Sequence, residues 1–286
     1  MGEAEVLTTA KFDLLNRNIR GLLPDGLIIA FSGGVDSSFL LLMASQILNE
    51  MKERSEVGKL LALTTVSPSI PTWEIEEAKN FARSLHVEHV FIESEEVEQE
   101  AYKKNDGTRC YHCKSELFKI AATEIKKRDF RHIAYGYNAS DRLDVRLGHK
   151  ASLEFNILSP LNDANLQKFE IRNYLKSKGL SLADKPASPC LASRVMTGVR
   201  VTTEKLRDIE KMESILREAS IKNYRVRLHE EKTETKSAGY FRIEVDPSEI
   251  LAVVHIKDDL LREARVRGYR WVTLDLGGYK MGGANF

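Results

Sequence analysis

Short apolar runs alternate with longer segments of helical length and spacing along the first two thirds of the chain. Runs of this length bounded by turn residues are typical of buried strands. The alternation predicts an α/β fold with a mostly parallel sheet. The predicted strands are 26–31, 60–66, 89–92 and 131–137, and the predicted helices are 3–20, 37–51, 71–84, 110–127 and 164–178.

The segment 184–200 breaks this pattern, and its prolines and glycine predict a loop. Beyond it we expect a second, smaller α+β unit. Its predicted elements are a helix at 203–218, strands near 224–229 and 240–245, a helical region at 247–267 and a strand at 270–274. These elements place a domain boundary near residue 200, which gives domains 1–199 and 200–286.

The composition is that of a globular protein, with 42% hydrophobic and 30% charged residues among 286. A net charge of +1 gives no bulk field that favours a nucleic acid or a membrane as partner. No apolar stretch approaches the ~18 residues of a membrane span, and the mixed N-terminus does not resemble a signal peptide. We therefore expect a cytoplasmic protein.

The segment Ser32-Gly33-Gly34-Val35-Asp36-Ser37 lies between the first predicted strand and its helix. Glycines let a backbone approach phosphate oxygens, and the free amides and dipole of a helix start favour a polyanion. Asp36 would repel phosphate unless it holds a bridging Mg²⁺. The simpler interpretation is an ordinary helix N-terminal turn, but the full pattern favours nucleotide binding by Ser32, Gly33, Gly34, Asp36 and Ser37, with Ala30 and Gly136 at neighbouring strand ends.

The three cysteines are Cys110 and Cys113, in a C-x-x-C at a predicted helix start, and Cys190 in the proline-rich loop. An odd, small number argues against a disulfide framework. The residues leave four interpretations open. These are buried structural thiols, a redox-active pair, a zinc site with His112, and an iron–sulfur cluster held by three thiolates.

The phosphate loop resembles the PP-loop of ATP pyrophosphatases, and a resemblance to the LarE family of ATP-dependent sulfur insertases extends over most of the chain. It rests on Phe31-Ser-Gly-Gly-Val-Asp-Ser37, Ser188-Pro-Cys190-Leu-Ala-Ser-Arg194, Tyr224-Arg-Val-Arg227-Leu-His229 and Val272-Thr-Leu-Asp-Leu-Gly-Gly-Tyr279. The resemblance implies a PP-loop domain followed by a substrate-binding and oligomerisation domain, in a homo-oligomer.

The same resemblance implies a reaction. ATP adenylates a carboxylate of pyridinium-3,5-biscarboxylic acid mononucleotide with release of pyrophosphate, and sulfur then displaces AMP, in the synthesis of the nickel-pincer cofactor of lactate racemase. The C-x-x-C is similar to that of a branch in which three cysteines hold a 4Fe-4S cluster that carries the sulfide. Cys110, Cys113 and Cys190 are then catalytic cluster ligands, whereas in the other branch Cys190 gives up its own sulfur; the donor that reloads the sulfide is not predicted.

Three arginines suit such a substrate, which has two carboxylates and a phosphate. Arg225 and Arg227 alternate on a strand and point to one face, and Arg194 lies four residues after Cys190. Without the resemblance, the pair would be interpreted as a solvated strand face. Glu213 and Glu244 match family positions linked to a divalent metal, although each could be an ordinary surface charge.

Three other functions are open to this sequence. A PP-loop tRNA thiolase would need a basic surface that the balanced charge does not indicate. An ammonia-dependent ligase of the NAD synthetase type would not need the cysteines. A non-catalytic iron–sulfur carrier would bind a cluster without releasing pyrophosphate.

Overall fold

The computed structural model of the protein describes residues 3–143, 147–232 and 237–280. The chain divides into two compact units. The first unit comprises Met1–Val66, Thr72–Ser94 and Cys110–Ser188, and the second comprises Ser67–Pro71, Glu95–Arg109 and Pro189–Phe286. No helix in the described ranges is both long and apolar enough to cross a membrane.

The helices differ widely in length, and several short ones were not predicted from the sequence. In chain order they are α1 (Glu3–Leu22), α2 (Val35–Glu53), α3 (Thr72–Ser84), α4 (Glu100–Lys103), α5 (Arg109–Arg128), α6 (Leu147–Glu154), α7 (Pro160–Asp163), α8 (Lys168–Ser177), α9 (Thr203–Glu218), α10 (Ile250–His255) and α11 (Lys257–Val266).

The first unit contains a four-stranded sheet in the order β3-β2-β1-β4. All three strand pairs are parallel, which confirms the predicted α/β fold. The carboxyl ends of its strands therefore lie at one edge, where open α/β sheets bind their ligands. The strands are β1 (Leu27–Ala30), β2 (Leu60–Val66), β3 (Glu88–Glu93) and β4 (His132–Tyr135).

Helices cover both faces of this sheet, which explains why β1 is a continuous apolar run. Leu27 and Ile29 belong to one core cluster with residues of α1 and α2. Ile28 belongs to the other cluster, with Phe118 of α5. Alternate residues of a strand face opposite sides, so a strand covered on both sides needs apolar residues at every position.

The second unit contains a smaller mixed sheet in the order β5-β6-β7. β5 (Tyr224–Lys232) and β6 (Ser237–Val245) are antiparallel, and β7 (Trp271–Leu274) is parallel to β6. One face carries a buried apolar set, and the opposite face carries the side chains of the candidate site. The buried set on the strands is Val226, Leu228, Phe241, Ile243 and Val245.

The structure divides the chain at Ser188, not near residue 200, and adds two earlier segments to the second unit. The side-chain amide of Asn105 gives one reason, because it donates to the carbonyl oxygens of Met196 and Val199, each at 2.9 Å. Such long-range contacts attach 95–109 to the C-terminal part of the chain.

The helix predicted at 164–178 begins later than expected, at Lys168. Asn165 has a φ of 53°, outside the helical region. The short helix α7 therefore ends at Asp163, and a separate helix, α8, begins at Lys168. Gln167 caps α8, and its amide donates to the Glu170 carboxylate at 2.8 Å.

Candidate functional site

The phosphate loop follows β1 at the carboxyl edge of the first unit's sheet and leads into α2. Gly33 has a φ of 71°, and a Cβ there would lie 3.1 Å from the Cβ of Ala78. Gly34 is the N-cap of α2, with an ordinary φ of −74°. Only Gly33 therefore needs glycine for its backbone conformation. The first-turn amides of a long helix face this loop, which is the arrangement that binds anions.

The two loop serines are bonded to each other. Their hydroxyl oxygens lie 3.0 Å apart, and the Ser37 hydroxyl also donates to the Gly34 carbonyl at 3.1 Å. The Ser32 amide in turn donates to Ser37 Oγ at 3.3 Å. These bonds close the loop into a compact turn.

Asp36 lies in the first turn of α2, and its two carboxylate oxygens differ in their contacts. Its Oδ2 accepts from Lys168 Nζ at 2.9 Å. Its Oδ1 is buried and has no hydrogen-bond partner among the residues that the structure describes. Buried carboxylate oxygens are normally paired, so this one is suited to a ligand. A hard cation such as Mg²⁺ prefers such an oxygen, so the donor set fits the predicted ion.

Two lysines that the sequence analysis missed contact this loop. Lys168 pairs with Asp36, and Lys185 Nζ donates to the Gly33 carbonyl at 2.9 Å and to Glu77 at 2.8 Å. A cavity of about 300 Å³ beside Gly33 is lined in part by Glu77, Phe81 and Lys185. Each ammonium group is paired with a carboxylate, so the two lysines place cations beside the loop without adding net charge to it.

Gly136 lies directly after β4 and is needed for a close backbone approach. A Cβ at this position would lie 2.5 Å from the Ser37 amide nitrogen and 2.8 Å from the Asp36 carbonyl carbon. The glycine therefore lets β4 support the phosphate loop itself. Ala30, 7% exposed, is paired in register with Tyr135 on β4.

Cys110 and Cys113 lie in the first turn of α5, at a spacing that places both thiols on one side of the helix. Cys110 is exposed, Cys113 is half-buried, and neither forms a disulfide. Among the described residues, no group of three or more His, Cys, Asp or Glu side chains is arranged to hold a metal ion.

Cys190 belongs to the second unit, where it precedes a short 3-10 turn, Leu191–Arg194. The Leu191 amide donates to the Ser69 carbonyl at 2.7 Å, and Arg109 donates to the Ala192 carbonyl at 2.7 Å. The thiol is half-buried and forms no disulfide. The main chain directly after Cys190 is therefore held by one main-chain and one side-chain contact within this unit.

Arg194, predicted to bind substrate, is 2% exposed. Its Nε and Nη2 donate to the two oxygens of Glu213 at 2.9 and 3.1 Å. Its Nη1 donates to the carbonyl oxygens of Pro189 and Cys190. The guanidinium therefore contacts protein groups on every side.

Arg225 and Arg227 lie on one face of β5, as predicted from their alternation, and differ in their surroundings. Arg227 is buried and donates twice to Glu244, at 3.0 and 3.1 Å, and to the Ser193 carbonyl at 3.0 Å. The Arg225 guanidinium lies over the Tyr279 ring at 5.0 Å. Burial, and next the charge of Arg194, lower the pKa of Arg225 from its ordinary value. A bound anion would oppose that shift because it stabilises the charged form.

A third arginine that sequence reasoning did not single out completes this face. Arg242 on β6 lies 3.1 Å from Glu244, and its Nε donates to His229 Nε2 at 3.0 Å. Burial and the charges of Arg242 and Arg227 lower the pKa of His229 to about 4. We call Arg225, Arg227, Arg242, His229 and Glu244 the arginine face. In the sequence, the alternation on β5 indicated Arg225 and Arg227, and the family resemblance indicated Glu244 on β6, but no pattern indicated Arg242.

Glu213 and Glu244, predicted as metal positions, are both buried and bound to arginines. Glu213 also accepts from the Val226 amide at 3.1 Å. Their carboxylates are therefore compensated by fixed cations of the protein. The sequence also suggests a polar lid of Asp141, Asp144 and Arg146, of which the last two lie outside the described residues.

A parallel sheet with this glycine- and serine-containing loop at a helix start defines a PP-loop ATP pyrophosphatase fold. The family model for NAD synthase matches residues 7–190. The chain belongs to this NAD synthase family of PP-loop proteins, whose members use ATP and Mg²⁺.

Three relatives align along most of their length. An uncharacterised protein of Synechocystis sp. is 33% identical over 263 residues, which cover 91% of this chain and 92% of the relative. An uncharacterised protein of Methanocaldococcus jannaschii is 28% identical over 254 residues, 89% of this chain and 90% of the relative. The pyridinium-3,5-bisthiocarboxylic acid mononucleotide synthase of Lactiplantibacillus plantarum is 26% identical over 257 residues, 90% of this chain and 88% of the relative.

Proposed function

We propose that the protein is an ATP-dependent sulfurtransferase that converts a carboxylate of pyridinium-3,5-biscarboxylic acid mononucleotide into a thiocarboxylate, in the synthesis of a nickel-pincer nucleotide cofactor. The observation that carries this proposal is the arginine face in the same unit as the Cys190 loop, in a chain with a PP-loop. The relative from Lactiplantibacillus plantarum, named for the corresponding bisthiocarboxylic acid product, supports the substrate class.

In the first step, a carboxylate oxygen of the substrate attacks the α-phosphorus of ATP. The bond from that phosphorus to the bridging oxygen breaks, pyrophosphate leaves, and an acyl adenylate forms. The first-turn amides of α2 and the nearby Lys168 and Lys185 stabilise the negative charge that develops on the leaving group. Asp36 would hold a Mg²⁺ ion, which supplies charge neutralisation on the phosphates.

In the second step, a sulfur nucleophile attacks the acyl carbon of the adenylate. A carbon–sulfur bond forms, the bond to the AMP oxygen breaks, and AMP leaves with the electron pair. Arg225 on the arginine face binds an anionic group of the substrate in this account, because its guanidinium is half-buried beside Tyr279 and favours a bidentate oxyanion.

We also propose, from the sequence resemblance, that the sulfur is sulfide carried on a 4Fe-4S cluster with Cys110, Cys113 and Cys190 as ligands. The alternative source is the sulfur of Cys190 itself. Iron and sulfide analysis after anaerobic purification distinguishes them. Iron content that survives replacement of Cys110 and Cys113 by alanine contradicts the cluster, and a Cys190 that has lost H₂S after turnover identifies a sacrificial donor.

The proposal is tested by incubating the protein with ATP, Mg²⁺ and the biscarboxylated mononucleotide under anaerobic conditions. We expect pyrophosphate and AMP to appear only with the mononucleotide, and its mass to rise by the difference between sulfur and oxygen. Pyrophosphate without a sulfur-containing product would contradict the sulfur step. No release with this substrate would contradict the substrate assignment.

An ammonia-dependent ligase is the second candidate, because the matching family model is that of NAD synthase. Such a ligase makes an amide from the same type of adenylate. It predicts AMP formation that depends on ammonia and persists when Cys110, Cys113 and Cys190 are all replaced by alanine. The sulfurtransferase proposal predicts that this triple variant makes no product.

A further inference from the structure

We propose that Arg194 and Glu213 are positioning residues, a buried ion pair that fixes the Cys190 main chain relative to the arginine face. This inference rests on the proposed function for the reaction that it serves. It replaces the sequence-based expectations that Arg194 binds substrate and that Glu213 binds a metal.

The contacts of Arg194 fix one side of this arrangement. Nε and Nη2 are directed at Glu213, while Nη1 donates to the Cys190 carbonyl at 3.1 Å, to the Pro189 carbonyl and to Ser193 Oγ at 3.3 Å. One planar, rigid group therefore holds the main chain immediately before and at Cys190. A side chain that is 2% exposed and used in this way is not presented to an incoming substrate.

Glu213 fixes the other side. Besides Arg194, its Oε1 accepts from the Val226 amide at 3.1 Å, between Arg225 and Arg227 on β5. Arg227 in turn donates to the Ser193 carbonyl at 3.0 Å. Two independent bridges thus join the Cys190 loop to the strand that carries the arginine face.

The energetics favour a fixed geometry over a ligand role. Both partners are almost fully removed from water, with exposures of 2% and 5%. A desolvated ion pair is favourable only when its hydrogen bonds are complete, so removing one partner leaves an uncompensated buried charge. A metal ion on Glu213, or a substrate carboxylate on Arg194, would create that situation. The pair is therefore suited to hold the protein chain, not to exchange ligands.

The decisive variant is the double substitution Arg194→Met with Glu213→Gln. It removes both charges together, and the glutamine oxygen can still accept from the Val226 amide, so no buried charge is left unpaired. It abolishes the hold on the Pro189 and Cys190 carbonyls. We expect kcat for sulfur transfer to fall about 10- to 100-fold, the effect of misplacing a reacting group by ~1 Å, with KM for the mononucleotide unchanged.

A rise in KM with unchanged kcat would overturn the proposal and restore Arg194 as a substrate ligand. Unchanged kcat and KM would overturn it as well, because the pair would then only support the fold. The variant Arg194→Lys keeps the positive charge but lacks the planar guanidinium that donates to several groups at once. Its kcat should therefore lie between the values of the wild type and the double variant. Arg200→Met is the matched control, since Arg200 forms an exposed pair with Glu100 in the same unit.

A second readout does not depend on the enzymatic function. Iodoacetamide labelling of the iron-free protein, followed residue by residue by mass spectrometry, reports how tightly each thiol is held. We expect the double variant to label Cys190 several-fold faster and Cys110 at the wild-type rate. An unchanged Cys190 rate would overturn the positioning role even if the mononucleotide is not the substrate, while a changed rate without any sulfur transfer in wild type would refute only the proposed function.

Discussion

The phosphate loop and the arginine face place charge in opposite ways. In the loop, the first-turn amides of α2 and an Asp36 oxygen without a partner in the described ranges are ready for a ligand, and Lys185 holds a main-chain carbonyl beside them. In the arginine face, Arg227 and Glu244 are buried and satisfy each other. The first region is built to bind a polyanion that arrives from solvent. The second is built to hold a fixed geometry, and its adaptable member is Arg225, the guanidinium beside Tyr279 that we propose binds the substrate.

The largest expected effect comes from the loop. Asp36→Asn keeps the size of the side chain and removes the charge that would bind Mg²⁺, so pyrophosphate release should fall about 10²–10³-fold. Thermal stability should change little, because the ion-pair partner of Asp36 in the described part of the chain is the partly exposed Lys168. Pyrophosphate release at the wild-type rate would show that Asp36 does not serve the metal.

The two arginines of β5 test the contrast inside the second unit. Arg227→Met leaves Glu244 paired with Arg242 but not with Arg227. The free energy of unfolding, measured with urea, should therefore fall by an amount toward the lower end of ~3–5 kcal/mol. Arg225→Met should cost much less stability but weaken mononucleotide binding by about 1.5–3 kcal/mol, as lost hydrogen bonds to a charged group do. If both variants lose stability equally, Arg225 is not the adaptable member.

The support of the loop by β4 is tested with Gly136→Ala. Because a Cβ would lie 2.5 Å from the Ser37 amide nitrogen, the backbone must shift, and we expect a loss of about 1–3 kcal/mol in stability together with weaker ATP binding. Gly21→Ala is the matched control, since a Cβ there meets nothing within 4 Å. Equal stability of the two variants would contradict the close approach.

The smallest effect is a pH dependence that both units share. Burial lowers the pKa of His89 in the first unit to about 4, and the pKa of His229 is also lowered to about 4, from 6.5. The unfolded chain then binds protons that the folded chain does not, so stability is complete above pH 6.5 and declines as the pH falls toward 4. NMR titration of each imidazole measures this, and a pKa near 6.5 for both would contradict it.

The sequence predicted local elements well where one pattern decides them. β2 at Leu60–Val66 and α9 at Thr203–Glu218 have the expected bounds, since an apolar run defines the first and the Thr202 cap, which accepts from Lys205, begins the second. The phosphate loop was found for the same reason: six consecutive residues contain it.

The remainder depends on partners that are distant in the chain. Lys168 contacts Asp36 over 132 positions and Lys185 contacts Gly33 over 152, and no local pattern announces either pair. The cross-strand partner of Arg227 likewise follows from the register of β5 and β6. Arg194 and Glu213 were recognised as site residues but not as partners, because burial and pairing are properties of the folded chain.

The most direct test of the central claim measures pyrophosphate and the thiocarboxylate product in one reaction with ATP, Mg²⁺ and pyridinium-3,5-biscarboxylic acid mononucleotide. The account predicts that both form with wild type, that neither forms at a comparable rate with Asp36→Asn, and that Arg194→Met with Glu213→Gln still releases pyrophosphate while product formation falls. Pyrophosphate release coupled to an amide in the presence of ammonia, with no sulfur in the product, would contradict it.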